Sequence, residues 1–149
     1  MDKQKTFGFD KPEDSPGFML WQTTTTWQRL IRKALDAYGI SHSQFVILAV
    51  SLWFEQKGVE TTQLKIAELS KIDKMTISLG LKYLASKNLV VRKENEEDTR
   101  VKSVMLTKTG RTLAARLVPI IEKIDNEFFG VITNQEQKSL LGILQKINT

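Results

Sequence analysis

A chain of 149 residues, 41% hydrophobic and 26% charged, has the make-up of one globular domain large enough to bury a substantial core. Its 22 basic residues against 17 acidic ones leave a net charge of +5, which suits a polyanionic partner. The absence of cysteine excludes disulfides, thiol catalysis and cysteine redox sensing. The polar, charged N-terminus lacks the apolar segment of a signal peptide. The longest apolar stretch, 45–54, is interrupted by Ser51 and falls short of the ~20 residues of a membrane span. A cytoplasmic protein with no membrane contact is expected.

Residues 1–17 hold Gly8, Pro12, Pro16 and Gly17 and read as an extended arm before a single domain over 18–149. A first helix is expected over about 18–38. Leu20, Trp27, Ile31, Ala34 and Tyr38 form its apolar stripe, Trp21, Leu30 and Leu35 widen it, and Gly39 ends it. Ser41-His42-Ser43-Gln44 has the spacing of a capping box and opens a second helix that reaches Gln56. That helix is apolar nearly all round, so it belongs at the buried centre. Residues 59–61 can form a short strand. Thr61 or Thr62 can cap a third helix over 64–70, with Leu64, Ile66, Ala67 and Leu69 at helical spacing.

A short break at 71–73 follows, and Asp73 is a good N-cap for a fourth helix over about 74–87. Ile77, Gly80, Leu81 and Leu84 share its inner face, with Gly80 allowing close approach of the preceding helix. Asn88 suits a left-handed helix end. Strands at 89–92 and 103–106 then flank a charged tip. Thr107 can cap a long helix over 108–132, in which Leu113, Leu117, Ile120, Ile121, Ile124 and Phe128 recur and Pro119 predicts a kink. Thr133-Asn134-Gln135-Glu136 is a second capping box, opening a last helix through Leu140, Leu141, Leu144 and Ile147.

Two helices joined by a tight turn and followed by a hairpin make a winged helix-turn-helix, here about 59–107, within a mainly α fold that has a small β-wing. The outward face of the fourth helix carries Met75, Leu79, Lys82, Tyr83 and Ser86, flanked by Thr76 and Ser78, and no carboxylate lies between Lys74 and Lys87. Hydroxyls can meet base edges or phosphates, and apolar side chains can meet thymine methyls. Thr76, Ser78 and Leu79 are expected at base edges. Lys65, Lys74, Lys82, Arg92 and Lys102 are candidates for phosphates. Leu20, Phe128, Phe129, Ile132, Leu140, Leu141 and Leu144 concentrate apolar surface at the two chain ends, which points to a symmetric partner.

The order Ile66-Ala67, Thr76-Ile77-Ser78, Leu84, Leu89-Val90-Val91-Arg92, Asp98-Thr99-Arg100 and Leu106-Thr107-Lys108-Thr109-Gly110 resembles the multiple-antibiotic-resistance regulator (MarR) family. The D-x-R wing followed by L-T-x-x-G is the most specific part, and the resemblance spans about 18–147. It implies a homodimeric DNA-binding transcription regulator, most often a repressor released by a small molecule. Its operator would be nearly palindromic, and its dimerisation helices would lie at about 18–38 and 108–147. The resemblance places Arg100 in the minor groove beside the recognition site. It also places effectors between the dimerisation helices and the head, where Trp21, Thr25, Trp27, Tyr38, Phe45 and Trp53 would suit an aromatic or weakly acidic ligand. Two positions depart from the pattern: Asn88 stands where many relatives have Gly, and Leu79 where many have Arg.

No catalytic or metal constellation emerges. The single histidine, His42, sits at a helix start, and one His without Cys cannot build a usual zinc site. Glu94, Glu96, Glu97 and Asp98 read as a solvated hairpin tip in which Asp98 orients Arg100. No enzyme activity and no cofactor are expected. The alternative reading is a winged-helix protein–protein interaction module without operator binding, which Leu79 and the acidic tip keep open.

Overall fold

The computed structural model describes residues 5–94, 97, 98 and 100–149. After a 3-10 turn, Pro12–Asp14, come α1 (Pro16–Asp36), α2 (His42–Gln56), α3 (Gln63–Ser70) and α4 (Lys74–Ser86). The strands β1 (Val90–Glu94) and β2 (Lys102–Leu106) precede α5 (Lys108–Phe129) and α6 (Asn134–Ile147). Among the described residues the fold is six α-helices with a two-stranded antiparallel wing.

Side-chain caps set where the helices begin. Both expected capping boxes form, Ser41 with Gln44 and Thr133 with Glu136. Thr62, Asp73 and Thr107 cap α3, α4 and α5. The helix α1 starts earlier than the apolar pattern suggests. Ser15 accepts from Phe18 N, and Pro16 brings a φ already suited to a first turn, so the arm ends at a helix rather than at residue 17. The same helix stops at Asp36 because the chain turns towards Gly39, whose φ is +65°. The helix α5 runs through Pro119 and stops at Phe129, three residues short of the expected end.

The expected strand at 59–61 shrinks to one bridge, Thr62 to Ser103, with Val104 N donating to Thr61 O. Thr62, extended at φ −122° and ψ 157°, makes that bridge and caps α3 as well, so the pairing ends where the helix begins. The hairpin pairs Val90 with Leu106 and Glu94 with Lys102.

The core gathers on α2, whose Ile47 and Leu48 are fully buried. Against them pack Ile31 and Leu35 of α1, Ile66 of α3, Ile77, Leu81 and Leu84 of α4, Val104 and Leu106 of β2, and Leu117 of α5. Each such side chain contributes roughly 1.5–3 kcal/mol relative to exposure. Ser51 is also buried, with its hydroxyl donating to Ile47 O within the same helix. Leu20, Trp21 and Leu30 of the α1 stripe are exposed on the single subunit. One apolar expectation fails: Leu64 and Leu69 point outward while Ile66 and Ala67 face in. An eight-residue helix has only two turns, too few for its apolar positions to define one face.

Candidate nucleic-acid interface

The start of α4 is held by Asp73. Its Oδ1 accepts from Thr76 N at 2.8 Å and its Oδ2 from the Thr76 hydroxyl at 2.7 Å. Those bonds, the side-chain one first, hold the carboxyl below its ordinary value of 3.8. The cap therefore contributes fully above pH 3.8 and loses its contribution as pH falls through the folded value. Asp73→Ala is expected to abolish that acid-side loss and to speed amide exchange at Thr76 and Ile77. Unchanged exchange at those two amides would refute the cap's role.

Ile77, Gly80, Leu81 and Leu84 face inward as the spacing predicts. The close approach at Gly80 is to α2, not to the preceding helix, since a Cβ there would stand 2.6 Å from Ile47 Cδ1. Met75 and Leu79 face solvent at 73% and 61% exposure, and Lys82 and Ser86 are exposed beside them. Thr76, Ser78 and Tyr83 are half-buried. Three of the hydroxyls already donate within the chain: Thr76 to Asp73, Tyr83 to Gly39 O at 2.7 Å, and Ser86 to Tyr83 O at 2.6 Å. Tyr83 thus braces the turn after α1 rather than standing free on the outer face.

On the wing, Arg100 Nε and Nη2 donate to Asp98 Oδ1 and Oδ2 at 3.0 and 3.1 Å, and the Arg100 backbone N–H joins Oδ1 at 3.0 Å. The fork fixes a guanidinium that is 89% exposed, and it draws the Asp98 carboxyl below the usual range. Glu96 and Thr99 of the tip lie outside the described residues. An open groove of about 770 Å³ between α3 and the wing is lined by Lys65, Lys74, Arg100 and Lys102, interleaved with the acidic Glu60, Glu68, Glu97 and Asp98, so the cations there are partly balanced. Within it Lys65 Nζ donates to Glu60 O at 2.9 Å, so that ammonium is partly committed. Gln63, which the sequence pattern did not single out, lines the same groove with a buried Oε1 that has no hydrogen-bond partner. Arg92 is half-buried on β1, opposite Val104.

The six aromatic-site candidates are dispersed in role. Trp27 donates its indole N–H to Asp125 at 2.7 Å and meets the edge of His42, while Phe45 is buried in the core. Burial lowers the pKa of His42, with Asp125 opposing. Tyr38 lies under Arg116, Thr25 is half-buried, and Trp21 and Trp53 are exposed. At the chain ends, Leu20 and Leu141 are exposed, while Phe128, Phe129, Ile132, Leu140 and Leu144 are half-buried. Val131, Ile143 and Ile147 add exposed apolar surface that the pattern underweighted, and α6 sends no residue into the buried core. No group of three or more potential metal ligands occurs among the described residues.

Residues 36–124 match the ArnR1-like winged-helix domain. The chain belongs to that family. Among relatives of this winged-helix member is the HTH-type transcriptional regulator YdcH of Bacillus subtilis, 37% identical over 128 residues, which are 86% of this chain and 87% of the relative. The fold is shared with a mutant MarR of Escherichia coli complexed with operator DNA, at TM-score 0.75 and 22% identity over 88% of this chain and 91% of the other. CouR of Rhodococcus jostii RHA1 bound to p-coumaroyl-CoA superposes at TM-score 0.81, with 21% identity over 94% and 96% of the two chains. The ArnR1-like chain is a winged-helix transcription regulator and not an enzyme, and it shares its fold with MarR proteins. No helix among its described residues is long and apolar enough to cross a membrane.

Proposed function

We propose that the chain represses transcription in the cytoplasm as a homodimer on a near-palindromic operator. In this reading α4 enters the major groove, Arg100 enters the adjacent minor groove, and the lysines of the α3–wing groove hold phosphates. The observation that carries it is the α4 face, exposed and free of carboxylate, set beside a wing whose arginine is aimed outward by Asp98. The operator-bound MarR structure of the same fold supports it. Fluorescence anisotropy of duplexes from the chain's own upstream DNA tests it across a salt series. Affinity should fall steeply as salt rises. No binding at low salt would leave the interaction-module reading in its place.

Residues 18–38 and 108–147 form the dimerisation region in this proposal. Its support is the exposed apolar surface of Phe18, Met19 and Leu20 at one chain end and of Leu141, Ile143 and Ile147 at the other. Wild-type protein is expected to sediment at twice its 17.0 kDa chain mass, and Leu141→Glu to shift it towards that chain mass without loss of helicity. A wild-type monomer at micromolar concentration would remove the dimer. A small aromatic or weakly acidic ligand would release DNA by favouring a half-site spacing that no longer fits. The CouR structure of the same fold, which holds p-coumaroyl-CoA with its aromatic acyl group, supports a ligand-responsive regulator.

A further inference from the structure

We infer that the reading head recognises its site through thymine methyl groups, contacted by Met75 and Leu79, rather than through hydrogen bonds to guanine or adenine edges. The inference rests on the DNA-binding reading above. Side chains that pair with base edges in the major groove are chiefly Arg or Lys for guanine and Asn or Gln for adenine. The helix α4 contains no Arg, Asn or Gln. Its hydroxyls are largely committed inside the chain: Thr76 donates to the Asp73 carboxylate, Tyr83 to Gly39 O and Ser86 to Tyr83 O. Of its polar groups, Ser78 is half-buried, and Lys74 and Lys82 sit at the first residue and in the third turn.

Recognition helices meet bases with their N-terminal residues. In that first part of α4 the exposed apolar side chains are Met75 and Leu79, one turn apart and on one side. Two apolar groups presented to a groove gain nothing from donors or acceptors there. They gain by covering the C5-methyl of thymine, the only apolar group the major groove displays. Lys82, one turn beyond Leu79, is then placed for phosphate. The half-site should contain thymines at two positions separated by the span of one helical turn.

The test begins with a randomised duplex pool from which the wild-type protein selects its tightest sequence. That duplex is then remade with deoxyuridine for thymine, which removes only the methyl groups, and in parallel with 7-deazaguanine for guanine. Each contacted methyl should be worth about fourfold in affinity, so the uridine duplex binds more than tenfold more weakly and the deazaguanine duplex unchanged. In the Met75→Ala/Leu79→Ala variant, both sites exposed and the fold intact by circular dichroism, the uridine penalty should vanish. Equal affinity for thymine and uridine duplexes, a loss only with deazaguanine, or a uridine penalty that persists in the double variant would each overturn the inference while leaving DNA binding intact. A pool from which nothing is selected would instead remove the DNA-binding reading itself.

Discussion

Gly110→Ala is expected to cost more than about 3 kcal/mol of folding stability and to lower the midpoint of thermal unfolding by roughly 6–12 °C. A Cβ built on Gly110 would lie 1.8 Å from the carbonyl oxygen of Leu89 and 2.8 Å from its carbon. Both are backbone atoms, so no rotamer change can relieve the overlap; α5 and the foot of the hairpin would have to separate. That junction is tightly tied. The Thr107 hydroxyl accepts from Gly110 N at 2.9 Å and donates to Asn88 O at 2.7 Å, while Thr107 N donates to the same Leu89 oxygen at 3.1 Å. Moving α5 outward breaks these bonds and loosens the buried Leu89. Gly80→Ala supplies the contrast. Its Cβ would meet only the terminal Cδ1 of Ile47, which can rotate away, and alanine gains about 1 kcal/mol in helix propensity. Its net effect should stay within about 1 kcal/mol. Differential scanning calorimetry of the two variants decides the matter, and a Gly110→Ala midpoint within 2 °C of wild type would refute the wedge.

Gly110 marks the limit of what the chain discloses by itself. Its place in the L-T-x-x-G run was visible, but the reason for it, a carbonyl from Leu89 lying over the helix start, depends on contacts across a hairpin. Features fixed within three or four residues were legible. The capping boxes at Ser41 and Thr133, the Asp73 cap and the left-handed Asn88, at φ +58°, all follow from local chemistry and all occur. The inner row of α4 was equally plain, because thirteen residues give a full apolar stripe. The same pattern failed in α3, where Leu64 and Leu69 face solvent. Bonds between distant positions left no trace in the spacing. Tyr83 reaches Gly39 across 44 positions and Trp27 reaches Asp125 across 98, so a side chain read on the outer face of α4 and one read in an effector cleft both brace the scaffold. In the candidate site, Arg100 and its Asp98 partner were readable because they lie two residues apart. The groove that collects Lys65, Lys74 and Lys102 around them was not, since it exists only once α3 packs beside the wing.

Arg100→Ala should weaken operator binding roughly five- to hundredfold and flatten the dependence of log affinity on log salt by about one unit per half-site lost. The guanidinium is 89% exposed, so its removal leaves no cavity and the folded state should be as stable as wild type within about 0.5 kcal/mol. What is lost is a planar cation already aimed by Asp98, whose fork reduces the entropy of immobilising the side chain when it enters a narrow groove. Arg100→Lys separates aim from charge. The ammonium keeps the salt slope but cannot fill the two-pronged contact to Asp98, so affinity should fall to an intermediate value. Asp98→Ala leaves the charge and removes the aim, and it should likewise fall between wild type and Arg100→Ala, with the salt slope preserved. Anisotropy titrations of the four proteins on one duplex at several salt concentrations resolve these cases. If Arg100→Ala binds with wild-type affinity and slope, Arg100 makes no contact with DNA, and the lysines of α3, α4 and β2 must supply the cationic side of the interface without it.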